Sequence, residues 1–351
     1  MTSTVAPLSS RHPKVGVGEL LEGLRPSFRF AEVSFDSYIP DDNHPSQAEA
    51  VRRLRGFSES VGKSSAGGGL LGRLFGGRGG KSQAPSGIYL DGGFGVGKTH
   101  LLASLYHASP GQRAFGTFVE YTNLVGALSF RRTVDVLSEY SLVCIDEFEL
   151  DDPGDTVLMS RLMRELADAG VKLAATSNTL PGSLGDGRFA AQDFKREIQV
   201  LADQFETVRV DGEDYRHRGL PEAPAPMAAE ELEGFAAETF PQAQIVVDDF
   251  ESLTEHLTQV HPSRYRQLIE GVDVLVLKGV ETIEAQSVAL RFVVLADRLY
   301  DQNVMVLASG RPFDELFTEE MMSGGYMKKY HRAVSRLTAL ARAGQMGESA
   351  L

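Results

Sequence analysis

Cysteine is nearly missing from this chain: Cys144 is the only one in 351 residues. A lone cysteine forms no intramolecular disulfide, and this one lies inside an apolar run, where a thiol is a small core residue rather than a reactive one. Long apolar runs are missing too. No stretch approaches the ~18 consecutive apolar residues of a membrane-spanning helix. The opening MTSTVAPLSSRHPK has no apolar segment of the kind a secretory leader carries. Positive charge is in deficit, with 35 Lys and Arg against 48 Asp and Glu and a net charge of −13. That balance disfavours a general nucleic-acid binder or a protein drawn to anionic membranes. Residues 219–263 contain no Lys or Arg and nine acidic residues, which reads as a solvated face. The expectation is a cytoplasmic protein without strong nucleic-acid binding and with at most peripheral membrane association. With 42% hydrophobic and 24% charged residues the composition is globular, and the length calls for one large domain or two.

Against these absences stands one dense stretch, Ile88 to Leu102, IYLDGGFGVGKTHLL. Ile88, Tyr89 and Leu90 form a short buried strand, and a helical run follows the glycines. This is G-x-x-x-x-G-K-[ST] in the strand–loop–helix setting that confirms it. The glycines let the backbone take positive φ and turn successive N–H groups toward phosphate oxygens. The helix start points its positive end at the same anion. The candidate nucleotide-binding residues are Gly92, Gly93, Phe94, Gly95, Val96, Gly97, Lys98, Thr99 and His100. Lys98 supplies charge to the β- and γ-phosphates, and the Thr99 hydroxyl is a ligand for Mg²⁺.

Leu142 to Glu147, LVCIDE, is a buried strand ending in two carboxylates, 48 residues from Lys98 to Asp146. Ligands of open α/β sheets sit beyond the carboxyl ends of the strands. Asp146 is therefore the second candidate metal residue, and Glu147 the candidate base for an attacking water. Thr176, Ser177 and Asn178 close a later strand. Asn178 is the choice for a group that hydrogen-bonds that water, against simple strand-end capping. Arg188, Lys195 and Arg196 follow, and Arg188 and Arg196 are the candidates for a cation supplied to a neighbouring copy's γ-phosphate in a homo-oligomer. Arg336, on a basic amphipathic helix near the end, could reach the nucleotide, although a solvated basic face is the plainer reading.

The pattern predicts a parallel α/β sheet flanked by helices, a P-loop NTPase core, with a C-terminal α/β extension; the AAA+ type of that core is what the family resemblance given below implies. The expected segments are an N-terminal collar (1–60), a glycine-rich flexible insertion (61–87), the ATPase core (88–220) and the extension (221–351). Expected strands are 88–91, about 116–121, 142–146, 171–176 and about 206–210. Expected helices include 47–57, one from Lys98 to about Ala108, one from Asn123 and 159–169. Phe30 to Pro40 reads as an extended, aromatic-bearing stretch that packs beside the site or touches the base. Residues 62–86 hold nine glycines around LLGRLF, a loop with or without a docking role. Residues 272–308 read as a βαβ unit. Shifted by 132 residues, 143–178 overlays 275–310, with Lys278 and Gly279 opposite Asp146 and Glu147, so the second copy keeps the apolar frame without the acids.

The chain resembles the ZapE-type family of AAA+ ATPases, relatives of the mitochondrial AFG-type ATPases. GIYLDGGFGVGKT, IDEFEL, TSNTLPGSL, VDGEDYRHR and the C-terminal Ser335-Arg336-Leu337 carry the resemblance, which runs over nearly the whole chain. It implies ATP and Mg²⁺ at Lys98, Thr99, Asp146 and Glu147, a sensor role for Asn178 and a cationic sensor role for Arg336. It also implies an ATP-dependent factor of the bacterial division ring, acting on the tubulin-like protein FtsZ. Two features depart from the family pattern: the insertion at 62–86, and the segment after TSN, which leaves the finger open between Arg188 and Arg196. GVGKTHLL also looks like helicase loaders and initiators, a nucleic-acid remodelling alternative that the acidic charge counts against.

Overall fold

A computed structural model describes residues 6–13, 16–62, 86–93, 95–148, 153–179, 199, 202–213 and 223–347. Residues 63–85 of the expected glycine-rich insertion, Phe94, Arg188, Lys195 and Arg196 lie outside the described residues. The chain divides into two units, one of residues 16–26 and 30–215, the other of 1–15, 27–29 and 216–351.

The first unit is built on five strands: β1 (Gly87–Asp91), β2 (Arg113–Thr117), β3 (Leu142–Asp146), β4 (Lys172–Ser177) and β5 (Phe205–Arg209). They form one parallel sheet in the order β2-β3-β4-β1-β5. Its helices are α1 (Val17–Glu22), α2 (Pro45–Ser60), α3 (Lys98–Ala108), α4 (Phe118–Leu128), α5 (Phe130–Leu137) and α6 (Pro153–Asp168). Side chains alternate across the sheet with period two. Ile88, Leu90, Cys144 and Ala174 face Leu54 of α2 and Leu101 and Leu105 of α3. Tyr89, Val143, Ile145 and Ala175 face Tyr121, Leu137, Leu162 and Leu166 of α4 to α6. Each fully buried Leu or Ile contributes about 1.5–3 kcal/mol. Cys144 is buried among them, and burial pushes its thiol well up. It is a core residue.

Strands β1, β3 and β4 fall within one residue of expectation, and so does β5. The second strand does not. It ends at Thr117 rather than running to Tyr121, and the helix begins at Phe118 rather than Asn123. The aromatic and β-branched GTFVEY reads as strand, but Thr117 and Glu120 form a capping box. Glu120 Oε2 accepts from the Thr117 N–H at 2.7 Å, and the Thr117 side chain accepts from the Glu120 N–H. Two otherwise orphaned donors are satisfied, and the helix starts there. Helix α6 begins six residues before the expected Met159, with Pro153 in its first turn, where a missing N–H costs nothing. The stretch 30–40 is not extended throughout. It contains a turn at 35–37, closed by the Ser37 hydroxyl donating to Ser34 O at 2.9 Å.

The second unit holds α7 (Leu232–Thr239), β6 (Ile245–Asp249), α8 (Phe250–Gln259), α9 (Tyr265–Leu268), β7 (Val274–Val280), α10 (Gln286–Asp301), β8 (Met305–Gly310), α11 (Glu319–Ser323) and α12 (Met327–Met346). Strands β6, β7 and β8 form a parallel three-stranded sheet in that order; β7, α10 and β8 are the βαβ unit expected at 272–308, and β6 is a further strand that the sequence reading did not foresee. The N-terminal segment is stitched to it. Ser9 donates through its N–H and hydroxyl to Asp248 at 2.8 and 2.7 Å. The basic side of α12 is not a solvated face. Arg332 and Arg336 are only 10% and 17% exposed and both pair with Asp297 of α10. Burial opposes the charge of Asp297, but the two guanidiniums hold its carboxyl below the usual range.

Candidate active site

The crevice lies at the carboxyl ends of β1, β4 and β3, which are adjacent in the sheet. β1 delivers the glycine loop. Gly92 admits no side chain, since a Cβ there would meet Val210 O at 2.1 Å. Gly97 takes φ 85° and caps α3, and its own Cβ would meet the Tyr38 ring at 2.5 Å. Helix α3 then starts on Lys98, whose buried ammonium donates to Gly92 O (2.8 Å), Gly93 O (2.5 Å) and Asn178 Oδ1 (2.9 Å). All three are oxygens that an ammonium exchanges readily for phosphate oxygens.

β3 delivers the acids. Asp146 is buried, and its Oδ1 accepts from the hydroxyls of Thr176 (2.5 Å) and Thr99 (3.2 Å). Burial first, then the neighbouring Glu147, pushes its carboxyl up to about 6, against the pull of the two hydroxyls and Lys98. Glu147 takes a left-handed φ of 52°, unusual for a residue with a side chain. Its N–H donates to the Thr176 hydroxyl oxygen at 3.1 Å, which fixes the turn. Such strain of about 1–3 kcal/mol persists where the surroundings over-determine it.

Lys98, Thr99, Asp146, Glu147 and Asn178 are therefore brought together, with one reassignment among the hydroxyl and amide groups of the β4 tip. Thr176 touches the β3 acids, and Asn178 reaches Lys98. Thr176 is the residue that sequence reasoning passed over. Its signal was available, since a hydroxyl at the end of a strand next to an acidic strand end is a natural second partner for the carboxylate. His100 turns its ring toward the collar. Its Nε2 lies 3.0 Å from Ser37 Oγ and 3.1 Å from Ser34 O, and burial pushes its pKa below the ordinary imidazole value. Arg336 lies in the second unit, paired with Asp297 and set over the Tyr300 ring.

The Thr99 hydroxyl and Asp146 carboxylate are hard oxygen donors on one another's doorstep, and the carboxylate is a buried charge opposed by its own environment. That pair fits Mg²⁺, which is held by one or two protein oxygens and the phosphates it accompanies. Among the described residues no cluster of three or more His, Cys, Asp or Glu would hold a metal unaided. Among them, too, no helix is long and apolar enough to cross a membrane.

Comparison with known proteins agrees with this geometry. The cell division protein ZapE of Escherichia coli strain K12 is 28% identical over a 370-residue alignment covering 85% of this chain and 95% of that protein. Lactation elevated protein 1 homolog B of Danio rerio is 25% identical, over 70% of this chain and 59% of that one. Among solved structures, the replication initiator DnaA bound to AMPPCP and single-stranded DNA covers 91% of each chain with a TM-score of 0.39 and 11% identity. The family model for AFG1-like ATPases matches residues 21–239 and 234–347, nearly the whole described chain. With that match over a phosphate loop and acidic strand end, the chain belongs to the AFG1-like ATPase family and is an ATP-hydrolysing enzyme.

Proposed function

We propose that this protein is a Mg²⁺-dependent ATPase that remodels a protein partner of the bacterial division ring, with FtsZ as that partner. The observation that carries the ATPase part is the convergence of Lys98, Thr99, Asp146, Glu147 and Asn178 from three adjacent strand ends. Family resemblance and the name of the Escherichia coli relative support the division role.

In this reading Lys98 exchanges its loop carbonyls for β- and γ-phosphate oxygens. Thr99 and Asp146 hold Mg²⁺, which when bound neutralises charge on the phosphates. Glu147 takes the proton of the attacking water, and the Thr176 hydroxyl keeps its backbone turned toward the site. Asn178, hydrogen-bonded to Lys98, links the β4 tip to the phosphate-binding cation. An arginine from 188–196 of a neighbouring copy supplies the remaining positive charge, so turnover depends on assembly.

The test is steady-state hydrolysis against protein concentration, with and without polymerised FtsZ. Specific activity that climbs with concentration and changes again on adding FtsZ supports the whole reading. Concentration-independent activity removes the trans arginine, and indifference to FtsZ removes that partner. Tight, steeply salt-dependent DNA binding with DNA-stimulated turnover points to a nucleic-acid remodeller instead.

A further inference from the structure

The phosphate loop is gripped from outside by the collar. Phe35, buried in the same cluster as Leu101 and Leu105 of α3, anchors the turn at 35–37. The next residues bring Tyr38 against the loop. Its hydroxyl donates to Val96 O at 2.9 Å, and its ring covers the Gly97 Cα so closely that a Cβ would stand 2.5 Å from it. The collar is fastened a second time by Gln47 of α2, 1% exposed. Its Oε1 accepts from the Asp41 N–H at 2.8 Å, and its Nε2 donates to Asp211 O, also at 2.8 Å. The Ser46 hydroxyl accepts the Asp211 N–H at 2.9 Å. His100, in the first turn of α3, closes the ring through Ser34 and Ser37. Tyr38 is thus presented by fixed neighbours.

In a planar trans peptide the C=O of one residue and the N–H of the next point to opposite sides. A hydroxyl that holds Val96 O toward the collar therefore holds the Gly97 N–H away from it. That N–H belongs to the last loop residue before Lys98, the set of donors that cradles phosphate at a helix start. We propose that Tyr38 is a positioning residue for ATP: by fixing the Val96–Gly97 peptide it presents the Gly97 N–H to the nucleotide phosphates. Its role in this inference is to hold the loop, not to act on the attacking water or the transferred phosphoryl group. The inference rests on the reading of 92–99 as the nucleotide loop.

A contact made equally in ground state and transition state changes KM and leaves kcat alone. Tyr38→Phe keeps the ring and its packing and deletes one hydrogen bond. Expected are about three- to tenfold weaker binding of ATP and ADP by calorimetry, with KM rising in step. The kcat should stay within about twofold, and melting without nucleotide should be unchanged. A melting temperature that drops while KM holds assigns Tyr38 to packing alone and overturns the proposal, as does a lower kcat at unchanged KM. Lys98→Ala in parallel separates the two layers. If it abolishes nucleotide binding while Tyr38→Phe changes nothing, only the Tyr38 inference fails. If it leaves binding intact, the loop reading fails and takes the inference with it.

Discussion

At an offset of 132 residues the β2–β3 register Arg113↔Leu142 becomes the β6–β7 register Ile245↔Val274. Helix α4 behind β2 becomes α8 behind β6, and the Thr117 cap becomes Asp249, whose side chain accepts from the Ser252 N–H at 3.1 Å. After β7 the offset is 133, so the buried α6 residues Met159, Leu162, Met163 and Leu166 become Phe292, Leu295, Ala296 and Leu299. The likeness reaches the turn that follows β3. Glu147, at φ 52°, has its N–H bonded by the Thr176 hydroxyl at 3.1 Å. Gly279, at φ 68°, has its N–H bonded by the Ser309 hydroxyl at 3.1 Å. Yet Lys278 stands for Asp146, and among the described residues no strand of the second sheet takes the place of β1. One backbone frame serves two ends. In the first unit it holds a carboxylate at an opposed charge and a side chain at a strained φ. In the second the same turn is relaxed by glycine, and the buried acid is replaced by a lysine paired at the surface with Glu233.

The comparison is broken most strongly at the strand tip. Glu147→Gln should bind ATP normally and lose about 10²–10⁴-fold in turnover, the usual share of a positioned base. Normal hydrolysis by that variant would reduce the first unit to the status of the second. Lys278→Ala, at the matching position before Gly279, should leave turnover unchanged and cost no more than an exposed ion pair, about 0–1 kcal/mol.

Asp146→Asn sharpens the contrast in stability. The folded carboxyl titrates at about 6, above its ordinary 3.8, so the folded protein holds that proton more tightly than the unfolded chain does. The penalty for ionising it is full above pH 6 and fades as pH falls toward 4. At about 1.4 kcal/mol per pKa unit it is on the order of 2–3 kcal/mol. Without metal or nucleotide, Asp146→Asn should therefore melt higher than the wild type at pH 8 and equally at pH 4, while losing Mg²⁺-supported turnover. A wild type that is the more stable at pH 8 would show that the hydroxyls of Thr99 and Thr176 outweigh burial.

The paired hydroxyls give a smaller effect. Thr176→Val removes the hydroxyl acceptor of the Glu147 N–H and a donor from Asp146; Ser309→Ala removes only the hydroxyl acceptor of the Gly279 N–H. Each should cost about 1–3 kcal/mol in denaturant unfolding. Only Thr176→Val should also slow hydrolysis, by about tenfold or more.

Much of this was legible before any coordinates. Lys98, Thr99, Asp146 and Glu147 follow from two motifs whose chemistry dictates their residue types, and the apolar runs at 88–90 and 142–145 announce buried parallel strands. The echo was legible only over 143–178, and the ungapped shift of 132 read there falls one residue short from α6 onward; its first third, 113–137 against 245–269, shares a burial pattern rather than residues: Thr133 and Tyr265 are both buried, as are Leu124 and His256. The Thr117 boundary was missed because β propensity outvoted a capping box. Tyr38 was passed over because its role is a contact across the fold, 58 residues distant in sequence, and Thr176 lost to Asn178 because which β4-tip group meets the acids is set by the pairing of β4 with β3. No local pattern encodes those.

The left-handed turn supplies a small change in stability and the cleanest test of what the two copies share. A residue with a Cβ in this region costs roughly 1–2 kcal/mol relative to glycine. Glu147→Gly should stabilise the nucleotide-free protein by about 1 kcal/mol while abolishing hydrolysis, making the first turn resemble the second. Gly279→Ala should do the reverse. A Cβ there meets nothing within 4 Å, so the variant carries only the cost of its φ of 68°. It should destabilise by about 1 kcal/mol and leave turnover per folded molecule unchanged. If Glu147→Gly is instead destabilising, the glutamate side chain holds the turn as well as serving it, and the strain is compensated locally. If both changes move stability as expected, the first unit keeps a strained glutamate where a glycine would fold better. What glutamate offers there and glycine does not is a carboxylate at the strand tip.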